Sequence, residues 1–105
     1  MTLASGIEIP LQKTAELCRR YKVREMAIFG SAARGEMHPG SDIDVMVEFD
    51  PDANVGWEFF ELEEELARIF EIPSGGRKVD LGTKRSLKPW VRPSALRDAL
   101  VVYAA

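Results

Sequence analysis

The chain has 105 residues, 46% of them hydrophobic and 30% charged, with 14 basic against 17 acidic side chains and a net charge of −3. That length suits one domain spanning residues 1–105, and the apolar fraction supports a real core and excludes a disordered chain. The acidic balance argues against a protein that holds nucleic acid by its own charge, and no apolar run is long enough to cross a bilayer.

In chain order, Pro10 to Tyr21 reads as a first helix. Pro10 suits its first turn, and Leu11, Ala15 and Cys18 share one face at i, i+4 and i+7. The single Cys18 cannot form an internal disulfide, which fits a reducing, cytoplasmic setting, and no charged-then-apolar leader precedes the helix. Val23 to Phe29 is a first strand, its apolar stretch too continuous for a one-sided edge. Ser31 to Gly35 forms a short helix, and His38-Pro39-Gly40-Ser41 a turn. Ile43 to Phe49 is a second strand, with Ile43, Val45, Val47 and Phe49 on one face and Asp42, Asp44, Met46 and Glu48 on the other. A polar connection, Asp50 to Asn54, leads to a long amphipathic helix from Val55 to Glu71. Phe59, Leu62, Leu66, Ile69 and Phe70 form its buried stripe, and Glu61, Glu63, Glu64 and Glu65 face mostly outward. Pro73 to Gly76 turns the chain into a third strand, Lys78 to Leu81. Ser86 to Pro93 is irregular, and Ser94 to Val102 reads as a last helix with Leu96, Leu100 and Tyr103 on one side. The expected architecture is α/β: a small mixed sheet with helices packed chiefly on one face.

The chemistry concentrates between the first two strands, in Phe29-Gly30-Ser31 and, ten residues on, Asp42-Ile43-Asp44. Small residues at a strand end let a phosphate approach the backbone closely. Two carboxylates at i and i+2 on a strand point the same way. An oxygen-only pair of this kind suits magnesium, which commonly shares its shell with substrate phosphates. A phosphate cradle facing a carboxylate pair implies phosphoryl or nucleotidyl transfer.

Gly-Ser, a short helical connection and Asp-x-Asp together resemble the signature of the DNA polymerase beta-like nucleotidyltransferase superfamily. The resemblance covers nearly the whole chain. Because 105 residues leave room for the catalytic core alone, it narrows to the minimal nucleotidyltransferases, small proteins often paired with a HEPN-type partner in toxin–antitoxin modules. The resemblance implies a third acid on a later strand, and Asp80, between Val79 and Leu81, is the candidate. It further implies that ATP is the substrate and that two magnesium ions bind to Asp42, Asp44 and Asp80, with Asp80 beside the attacking hydroxyl. Gly30 and Ser31 would hold the β- and γ-phosphates at a helix N-terminus. Arg34 would either contact the triphosphate or pair with a nearby acid. The chain departs from its relatives at Ala32, where they often carry a large or basic residue; a triphosphate contact that some of them make is not available here.

Three functions follow from these residues and this resemblance. The first is an antitoxin enzyme that transfers AMP to a tyrosine of a HEPN-family ribonuclease toxin. The second is a module that neutralises such a partner by occlusion, its acidic helix and exposed aromatics meeting a basic surface. The third, transfer to a small molecule, lacks an acceptor-binding domain. Neither direct binding to nucleic acid nor a membrane partner is expected. Outside the motif, the glutamate run is a solvated helix face or a contact for a basic partner. Trp57 and Trp90 each pack inward or anchor a partner. Lys84 and Arg85 are a solvated pair or reach nucleotide or partner. His38 is a surface turn residue, and Cys18 a small core residue.

Overall fold

The computed structural model describes residues 1–3, 8–30, 33, 35, 43–70, 79–83 and 97–105. Its elements, in chain order, are α1 (Leu11–Arg20), β1 (Val23–Phe29), β2 (Ile43–Phe49), α2 (Glu58–Ile69), β3 (Val79–Thr83) and β4 (Leu100–Ala104). The strands form one mixed sheet in the order β3-β2-β1-β4. β1 pairs antiparallel with β2 and β4, whereas β2 and β3 run parallel. A parallel pair needs a crossover, and α2 supplies it.

Both helices pack on one face of the sheet. Leu17 and Cys18 of α1, and Leu62 and Leu66 of α2, share one buried cluster with Met26, Ile28, Ile43, Val45, Val47, Val79 and Leu81 from the strands. Leu3 and Ile9, from the N-terminal segment, join it. β1 is a central strand, as its continuous apolar run predicts. Along β2, Ile43, Val45 and Val47 are buried on the helix side, and Asp44 and Glu48, on the other side, are half-buried.

The structure corrects the sequence reading at four places. Leu100–Ala104 is not a helix but strand β4, paired with β1. Val101, Val102 and Tyr103 are β-branched or aromatic residues that fit a pleated surface, and the exposed edge of β1 supplies their hydrogen bonds. The buried stripe of α1 is Thr14, Leu17 and Cys18, and Leu11 lies largely in solvent. Thr14 is tolerated inside because its hydroxyl donates to the Pro10 carbonyl at 2.9 Å. α2 begins at Glu58, three residues later than expected. The Glu58 carboxylate accepts the Gly56 backbone N–H at 3.0 Å, which ties the approach to the helix into a turn instead of another helical turn. Met46, on the acid-bearing face, is buried at 3% exposure, so the two faces of β2 do not divide cleanly into core and solvent. Its register partners are Ala27 and Gly82, small residues that leave lateral room for a flexible methionine.

Candidate active site

The register of the sheet brings two of the expected acids together. Asp44 on β2 pairs with Asp80 on β3 in parallel register. Register partners on adjacent strands project to the same face, and neighbouring strands lie roughly 4.8 Å apart. Val79 and Leu81 are buried at 2% and 6%, so the alternation of β3 turns Asp80 away from the core, toward solvent. Asp44 is half-buried.

Gly30 closes the site from the β1 side. Phe29 faces Asp44 across β1 and β2, and the chain turns at Gly30 with φ +72. That left-handed conformation is costly for any residue with a Cβ. A Cβ placed there would also lie 2.5 Å from Asp44 Oδ2. Glycine is therefore required twice: for the turn, and for the close approach of backbone to carboxylate.

Asp42, Ser31 and Arg34, the other expected site residues, lie outside the described residues. So do His38, Lys84, Arg85 and Trp90, and most of the short helix expected over residues 31–35. Among the described residues no cluster of three or more histidine, cysteine or acidic side chains is assembled. The donor set that is described, two carboxylates on facing register positions, fits a hard cation. Like charges directly opposite one another repel, and a divalent cation held by these carboxylates would offset that repulsion.

One contributor to this site is missing from the sequence reading. Glu63 of α2, expected to face solvent, is half-buried, and its Oε2 accepts the backbone N–H of Leu81 at 3.1 Å. Among the described residues β3 is one of the two edge strands of the sheet, so this carboxylate satisfies an outward-pointing donor on the residue next to Asp80. A signal for it was available: Glu63 falls four residues after Phe59 and three before Leu66, within the helical stripe that meets the sheet.

Two clefts lie away from the acid pair. One of about 700 Å³ opens where β2 and β3 end, between Arg24, Glu48, Phe49, Asp50 and Thr83. The other, about 380 Å³, runs between the end of α1 at Arg20 and Lys22 and the α2 approach at Asp52, Glu58 and Glu61. Neither is lined by Asp44 or Asp80. None of the helices among the described residues is long and apolar enough to cross a membrane.

The model of the nucleotidyltransferase domain family matches residues 12–103. A protein of Methanocaldococcus jannaschii provisionally named a protein adenylyltransferase is 42% identical over 105 residues, spanning 97% of this chain and 100% of the relative. The protein adenylyltransferase MntA of Thermococcus cleftensis is 39% identical over 87 residues, spanning 83% of this chain and 82% of the relative. Among solved structures, one provisionally described as a minimal nucleotidyltransferase superposes with a TM-score of 0.68 at 29% identity, covering 86% of each chain. Two toxin–antitoxin complexes share the fold at lower identity. One contains AMP-PNP, with a TM-score of 0.67 at 24% identity over 92% of this chain and 75% of that one. The other holds a tri-AMPylated HEPN toxin of Shewanella oneidensis with its MNT antitoxin, with a TM-score of 0.60 at 22% identity over 90% and 70%.

Proposed function

This chain belongs to the nucleotidyltransferase domain family, and from that premise we propose that it transfers AMP from ATP to a tyrosine hydroxyl of a HEPN-type ribonuclease toxin and so neutralises it. The observation that carries the reading is the facing pair Asp44 and Asp80 with Gly30 pressed against Asp44. The names of its relatives, protein adenylyltransferases, support AMP as the group transferred. The neighbouring fold seen with an AMPylated HEPN toxin supports the class of acceptor. The chain acts as one minimal domain over residues 1–105, which the family match over 12–103 supports. The setting is cytoplasmic, in keeping with the buried free thiol of Cys18.

In the proposed reaction the tyrosine oxygen attacks the α-phosphorus of ATP. The bond from that phosphorus to the bridging oxygen breaks, and pyrophosphate leaves with the electron pair. The tyrosine is left as an AMP phosphodiester. Asp42 and Asp44 hold the nucleotide side of the site, and Asp80 lies next to the attacking hydroxyl, where it takes up the phenolic proton or directs it to solvent. Magnesium held by Asp42, Asp44 and Asp80 would supply charge stabilisation for the attacking and leaving oxygens. Gly30 lets the phosphates approach the backbone, Ser31 binds their oxygens, and Arg34 adds a charge-assisted contact. AMP on the toxin adds bulk and negative charge where RNA phosphates must bind.

The test is intact mass of a HEPN-type protein, offered as acceptor, after incubation with this protein, ATP and magnesium. A gain of one or more AMP units that disappears with Asp42→Ala and with Asp44→Ala is expected. Full transfer by either variant would sink the mechanism, and a tight complex without any mass gain would favour occlusion.

A further inference from the structure

The start of α2 carries an apolar surface that the proposed chemistry does not use. Trp57 is 79% exposed and Phe60 59%, the two most exposed large hydrophobic side chains among the described residues. Their rings lie 6.3 Å apart, and Phe60 in turn meets Phe59 edge-on at 5.7 Å. Phe59 rests against Phe49 at 6.4 Å, so the exposed pair is backed by aromatic rings that reach into the fold. Exposed tryptophan braced in this way is the usual anatomy of a protein-docking anchor.

The rim decides what docks there. Glu58, Glu61 and Glu64 are exposed on the same helix around the two rings. Backbone N–H groups of Glu58 itself and of Gly56 hold the Glu58 carboxyl below its ordinary range, so it stays ionised. Arg20 and Lys22 stand across the neighbouring cleft, on the α1 side. A second copy of this chain in a twofold contact would set these glutamates against themselves. Nucleic acid and anionic lipid would meet the same repulsion. A protein surface with an apolar socket ringed by lysine and arginine meets opposite charge at Glu58, Glu61 and Glu64.

We infer that Trp57, Phe60 and the glutamates beside them dock a basic protein surface, that of the proposed AMP acceptor. The inference rests on the function proposed above for the identity of that acceptor. The patch lies at the Phe49 end of β2, roughly 17 Å along the strand from Asp44. It therefore serves capture and not chemistry, and the two are separable by experiment.

The test compares wild type with Trp57→Ala/Phe60→Ser, and separately with Glu61→Lys/Glu64→Lys, for binding to the HEPN-type protein by calorimetry and for AMP transfer. Both variants change exposed residues, and their melting curves check the fold. Expected is a rise of at least about 10-fold in Kd and in KM for the acceptor, as loss of a hot-spot aromatic gives, with kcat at saturating acceptor unchanged. The charge-reversed variant should also lose the salt dependence of binding. Wild-type Kd and KM in Trp57→Ala/Phe60→Ser would overturn the inference. So would a wild-type dimer, seen by sedimentation, that this variant dissolves. Absence of AMP transfer by wild type would defeat the function proposed above, whereas the Kd comparison would still decide the docking surface.

Discussion

Gly30 meets two demands of the backbone at one position. Its positive φ and its contact with the Asp44 carboxylate both exclude a side chain. Gly30→Ala should cost about 1–2 kcal/mol of stability from the backbone alone. It should also push Asp44 aside and lower AMP transfer by about 10-fold or more, since small misplacements of catalytic groups are expensive. Transfer at the wild-type rate in a folded Gly30→Ala protein would contradict this role. Gly30 was legible from sequence only together with Asp42-Ile43-Asp44, because Gly-Ser after an apolar strand is by itself a common turn. Thr14 was not: its complete burial depends on a bond to Pro10 that spacing alone does not reveal. Cys18 was read as core, and burial pushes its thiol up to about 12. The folded value exceeds the ordinary value of about 8.5, so the buried thiol's contribution to stability is complete below about pH 8.5 and is lost as pH rises toward 12. Native protein at pH 8 should resist iodoacetamide and react once unfolded in guanidinium; labelling of the native state at the rate of a free thiol would refute the burial argument.

At the scale of elements, the amphipathic stripe of α2 and the alternation of β3 were readable because each has one face in the core, whereas β2 also buries Met46 on its acid-bearing face. β4 was not, because Leu96, Leu100 and Tyr103 satisfy a helical spacing while the Val101-Val102-Tyr103 run satisfies a strand. Pairing with β1 decides between them, and a partner strand is a tertiary fact. Glu63 is a comparable case, a glutamate within an acidic run whose task appears once β3 lies beside it. Glu63→Ala leaves the Leu81 N–H without its acceptor and should cost about 1–2 kcal/mol, a fall of several degrees in Tm. Glu63→Gln, which keeps an acceptor, should lose less. Equal melting temperatures for Glu63→Ala and wild type would show that the bond does not hold the edge strand.

Across the molecule, among the described residues, both helices pack on one face of the sheet and the acid pair lies on the other. The acid pair sits where β2 and β3 begin, and the aromatic patch lies near the end of β2. The family was legible because Gly30-Ser31 and, ten residues on, Asp42-Ile43-Asp44 follow a recognisable sequence spacing, whereas the fourth strand of the sheet was not. Of the two readings of Trp57, its 79% exposure excludes packing inward. The central claim is that Asp80, brought opposite Asp44 by parallel register, belongs to the reacting site. The most direct measurement is the mass gain of the HEPN-type acceptor with Asp80→Asn in place of wild type, with melting curves confirming that both are folded. Loss of AMP addition with the fold kept is the expected result. Wild-type AMP addition by folded Asp80→Asn would contradict it.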